Sequence, residues 1–70
     1  MHRLWFKVWQ QGQPIAPPVQ VTNLPRGAQI TGNIALRHSR GGVLAEVYAL
    51  AADAAQAQQI WEEAQELLPS

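Results

Sequence analysis

The sequence predicts an α+β fold: an antiparallel sheet of three strands, with a fourth short edge strand as an option, and one C-terminal amphipathic helix packed on one face. Three observations carry this expectation. Residues 3 to 10 and 28 to 38 alternate apolar and polar with a period of two. A Ser39-Arg40-Gly41-Gly42 hairpin signal joins the second run to a third alternating run, 43 to 49. From Asp53 onward the apolar residues return at helical spacing. At 70 residues the chain is expected to form a single β-β-β-α domain over 1–70.

In the first run Leu4, Phe6 and Val8 fall on one side and Arg3, Trp5, Lys7 and Trp9 on the other, so one face is buried and one is free. Residues 11–27 hold Gly12, Pro14, Pro17, Pro18, Pro25 and Gly27. Proline donates nothing to a ladder, so this stretch is expected as a loop in which 19–22 at most forms an edge strand. The second run puts Ile30, Gly32, Ile34 and Leu36 on the core side. A two-residue loop at Arg40-Gly41 would pair Arg37 with Leu44, Ala35 with Glu46 and Asn33 with Tyr48, and would set Ile34 against Val47 on the core side. Val43, Ala45, Val47 and Ala49 then face the helix, and Leu44, Glu46 and Tyr48 face away. Asp53 with Gln56 three residues on forms a capping box. Ala54, Ala57, Ile60, Trp61, Ala64, Leu67 and Leu68 make the helical stripe, which Pro69 ends.

Hydrophobic residues make up 47% of the chain and charged residues 14%, a globular rather than a disordered composition. The absence of cysteine excludes disulfides and thiolate zinc sites. No apolar run is long enough to span a membrane, and residues 2–9 lack the pattern of a signal or transit peptide, so a cytoplasmic protein with no membrane partner is expected. His2 and His38 are the only imidazoles, and His38-Ser39 is not complemented by an orienting carboxylate. Glu62 and Glu66 share a helix face without further ligands. No catalytic residues, no metal site and no cofactor are therefore expected.

The most informative surface is the outer sheet face, where Arg3, Trp5, Lys7 and Trp9 interleave cations with large aromatics beside Arg37, Leu44 and Tyr48. One helix covers one face, and tryptophans left on the other would exceed the apolar patch a monomer tolerates. Three coverings are open. The 11–27 loop folds across the face; a protein partner or a second copy docks there with tryptophan and arginine as anchors; or nucleic acid stacks on the aromatics and meets the cations. All five basic residues precede Gly41 and all five acidic ones follow it, but the net charge is zero, which weighs against phosphate recognition. In layout, three strands, one helix and a basic outer face, the chain resembles the small DNA-binding domains at the N-terminus of tyrosine integrases and in plant AP2 factors. That resemblance implies Arg3, Trp5, Lys7 and Arg37 as groove-facing residues. The residues themselves favour a non-enzymatic protein-interaction module, of adaptor or inhibitor type. It would bind a protein partner or itself, most simply as a homodimer, through Arg3, Trp5, Lys7, Trp9, Arg37, Leu44 and Tyr48, with nucleic-acid binding as the alternative.

Overall fold

The computed structural model describes residues 2–68, and Pro69, expected to end the helix, lies outside them. The order is β1 (Leu4–Gln10), β2 (Gln13–Val21), β3 (Gln29–Thr31), β4 (Ile34–His38), β5 (Leu44–Ala51) and α1 (Ala54–Ala64), followed by a 3-10 turn over Gln65–Leu67. The five strands form one antiparallel sheet in the order β2-β1-β5-β4-β3. The α+β class holds, with five strands in place of three or four.

Both additional strands come from tight turns. Gln11 and Gly12 take positive φ values of 45° and 87°, the backbone of a two-residue hairpin turn whose twist matches its strands. This turn folds β2 back on β1, so most of the expected 11–27 loop is strand. The prolines are tolerated because β2 is an edge strand, bonded to β1 alone. The expected long strand over 28 to 38 is broken by a second turn, where Gly32 adopts a φ of 59° and lets β3 fold onto β4.

Two single-residue bulges then shift the pairings that β5 makes, and β2 is irregular against β1 between Pro14 and Val19. Lys7 pairs with Tyr48 and Trp9 with Val47, so Val8 is the extra residue in β1. Arg37 pairs with Glu46 and His38 with Leu44, so Ala45 is the extra residue in β5. The observed pairs Ala35↔Tyr48, Arg37↔Glu46, Ile34↔Ala49 and Leu36↔Val47 lie two residues from the expected register. A shift of two preserves the faces, so Arg37, Glu46 and Tyr48 remain together on the side away from the helix.

The core lies between sheet and helix. Phe6, Val8, Val47, Ala49 and Ala51 meet Ala57 and Trp61, with Trp9, Ile34, Leu36, Leu44, Ala54, Ile60 and Leu68 around them. Ala49, Ala51 and Ala57 are fully buried, and their small side chains allow the helix to approach the sheet closely. The capping box forms in a variant shape. Gln56 N–H donates to Asp53 Oδ1 at 2.8 Å, and Gln56 Oε1 accepts from the N–H of Ala52, one residue before the cap, at 2.6 Å. Helix α1 lies over β2, β1 and β5.

Candidate functional site

Two surfaces compete for a functional role, and the sheet defines both. On the outer face Glu46 is the centre of a polar cluster. Its Oε1 accepts from Arg37 Nε at 2.7 Å and from the Tyr48 hydroxyl at 2.7 Å, and its Oε2 accepts from Lys7 Nζ at 3.2 Å. Lys7 Nζ also donates to Gln10 and stands 5.8 Å from the centroid of the Tyr48 ring. The Arg37 hydrogen bond, helped by those from Tyr48 and Lys7, pulls the Glu46 carboxyl down to about 2, against the opposing effect of burial. Burial and the adjacent carboxylate push the Tyr48 phenol up, and Glu46 raises Arg37 further. At neutral pH the cluster therefore holds a fixed carboxylate and a fixed phenol, and neither is poised to exchange a proton.

This face is also closed at its middle. Tyr48 and Ala35 point away from the helix, yet are only 3% and 0% exposed. The 22–28 connection must run from β2 at one edge of the sheet to β3 at the other, a distance of four strand spacings or about 19 Å. Helix α1 occupies the opposite face over β2, β1 and β5, so it is not what buries Tyr48 and Ala35. Leu24, Pro25 and Ala28 within the 22–28 connection are half-buried.

The seven residues singled out on the sequence do not form one surface. Lys7, Arg37 and Tyr48 come together around Glu46, which sequence reasoning left out of the set. Trp5 is on the same face, half-buried and paired with Leu50 and Val21. Arg3 is exposed ahead of β1. Trp9 and Leu44 are corrections. The bulge at Val8 turns Trp9 to the helix side, where its ring lies 6.3 Å from that of Trp61, and the bulge at Ala45 brings Leu44 against the same core. The two uncovered tryptophans of the expected patch are thus reduced to one, half-buried.

Sequence reasoning missed the second surface. A helix is about 10 Å across, whereas five strands span about 19 Å between their outermost axes. With α1 seated over β2, β1 and β5, the helix-side face of β4 and β3 is left open. The result is a slot of about 400 Å³, walled by Ile34 and Leu36 on the sheet and by Ile60, Ala64, Leu67 and Leu68 on the helical side. Thr31, Asn33 and Glu63 complete its lining. Leu67 is 86% exposed and stands at the mouth of the trough. The signals that would have revealed the slot were Gln11-Gly12 and Gly32-Asn33 read as hairpin turns, because they make the sheet wider than one helix can cover.

Among the described residues no cluster of three or more His, Asp or Glu is arranged to hold a metal, and no helix is long and apolar enough to cross a membrane. No protein-family model, curated protein or solved structure matches the chain.

Proposed function

We propose that this protein is a non-enzymatic interaction module that docks a helical segment of a protein partner in the slot beside α1. The observation that carries the reading is the match between the open strip and a helix. Two strands present a strip about 10 Å wide, and helices pack beside one another at about 8 to 10 Å. A second helix lying alongside α1 would complete the helix layer over the sheet, resting on Ile34 and Leu36 and touching Ile60, Ala64 and Leu67. Apolar anchors in a groove at helical spacing are the usual means by which such a segment is held.

The polar cluster supports the non-enzymatic part. A carboxyl held at about 2 stays ionised and a phenol raised above its ordinary value stays neutral, so the two serve as a structural hydrogen-bonded pair and not as an acid–base pair. The nucleic-acid alternative loses support from the same cluster, because Lys7 and Arg37 are already engaged by Glu46. A cytoplasmic location belongs to the same proposal and rests on the sequence.

Two substitutions separate the slot from the outer face. Leu67→Asp places a charge at the mouth of the slot. Leu67 is so exposed that stability should change by less than about 0.5 kcal/mol. Binding of a leucine-striped helical peptide, followed by fluorescence anisotropy, should be lost in Leu67→Asp and retained in Trp5→Ala. Loss in Trp5→Ala with full binding in Leu67→Asp would move the docking surface back to the outer face and overturn the proposal.

A further inference from the structure

We propose that the helix this slot accepts is basic: its apolar stripe is flanked by lysine or arginine that meets the carboxylates of α1. The inference rests on the docking reading above and adds the chemistry of the occupant. Glu63 lines the slot beside Ile60 and Leu67, and Glu62 and Glu66 are exposed on the same stretch of helix. The last turn of α1 contains no basic residue. Three carboxylates thus gather where the helix carbonyls already make a negative pole, with Glu62 and Glu66 four residues apart and Glu63 and Glu66 three apart.

Among the described residues no basic side chain pairs with these carboxylates, and Glu62 accepts only a neutral hydrogen bond, from Gln58 Nε2 at 3.2 Å. The ion pairs that do form are Lys7–Glu46 and Arg37–Glu46, both on the opposite face of the sheet. The sheet wall of the slot is neutral, made of Thr31, Asn33, Ile34 and Leu36. An occupant therefore meets apolar surface below and the Glu63 carboxylate at the rim, with Glu62 and Glu66 further round the helix adding to the negative field that steers a cationic amphipathic helix.

The same charges argue against a second copy of the chain as occupant. The one helix among the described residues is α1, which is already packed on its own sheet through Ala57 and Trp61. Bringing a second α1 to the slot would set its glutamates against Glu62, Glu63 and Glu66.

The test uses two labelled peptides about 14 residues long, long enough to lie along α1. Both carry leucine at i, i+3, i+4 and i+7, one with lysine and one with glutamate at the flanking positions. Anisotropy titrations of the full chain at about 50 mM salt should favour the lysine peptide by about tenfold or more, and the preference should shrink at about 300 mM salt. Glu63→Lys, at an exposed position, should remove most of the preference without lowering the melting temperature. Equal binding of both peptides, still abolished by Leu67→Asp, would overturn the basic occupant and leave the slot standing. A lysine preference undiminished in a Glu62→Gln, Glu63→Gln, Glu66→Gln triple variant would also overturn it. Binding of neither peptide, or binding indifferent to Leu67→Asp, would refute the slot reading itself.

Discussion

Replacing Glu46 with glutamine should destabilise the fold at neutral pH and hardly at all in acid. The carboxylate holds Arg37, Tyr48 and Lys7 at 2.7, 2.7 and 3.2 Å, and its side chain is 13% exposed. Its folded pKa of about 2 lies below the unfolded value of 4.5, so ionisation favours the folded state. The contribution is complete above the unfolded pKa and disappears as the pH falls through the folded one. Taken at face value the depression corresponds to about 3 kcal/mol. Lys7 and Arg37 are partly in water, at 23% and 31% side-chain exposure. Screening there reduces the expected contribution to about 1 to 2 kcal/mol. A domain of this size is stable by only about 4 to 10 kcal/mol. At about 4 to 8 °C per kcal/mol, Glu46→Gln should lower the melting temperature by about 4 to 16 °C at pH 7. Circular-dichroism melts of both proteins from pH 7 down to about pH 2 would show the two curves converging as Glu46 protonates in the parent. The reasoning is refuted if the two proteins melt together at pH 7, or if their difference is unchanged at the acid end.

Three further outcomes follow from the packing. Trp61→Ala removes a buried ring that contacts Trp9 and should cost about 3 to 5 kcal/mol, measured by urea denaturation, enough to leave much of the population unfolded at 37 °C. Asp53→Ala removes the acceptor of the Gln56 N–H and should cost about 1 kcal/mol, read as a lower melting temperature with an unchanged folded spectrum. Deleting Val8 removes the extra residue, so that Lys7 opposite Tyr48 is followed directly by Trp9 opposite Val47, and ordinary alternation keeps Trp9 on the helix side. The near-ultraviolet signal of the packed Trp9–Trp61 pair should then persist in the folded protein, and its loss would refute the bulge assignment.

The α+β class, the helix with its Asp53 cap, and the grouping of Arg37, Glu46 and Tyr48 on one face were all legible, because each rests on local periodicity or on face parity. Parity survives a register error of two residues, which is why Ala35 and Arg37 were placed on the correct side even though their partners were not. Bulges are different. Val8 and Ala45 sit inside runs that alternate cleanly, and a single extra residue leaves no mark in such a pattern, so Trp9 and Leu44 were assigned to the wrong face. The prolines of β2 misled for a related reason. Pro14, Pro17 and Pro18 do exclude a central strand, but an edge strand needs partners on one side only, and the turn at Gln11-Gly12 supplied the hairpin. The slot was missed together with the hairpin turns at Gln11-Gly12 and Gly32-Asn33, which widen the sheet to five strands, more than one helix can cover.

The most direct test of the central claim is a nitrogen-15 amide correlation titration of the intact protein with the leucine-striped lysine peptide. The account predicts shift changes clustered at residues 31–36 and 60–68, around Ile34, Leu36, Ile60 and Leu67, with Lys7, Arg37 and Tyr48 unmoved. Changes centred on Trp5, Lys7 and Tyr48, or none at saturating peptide, would contradict it.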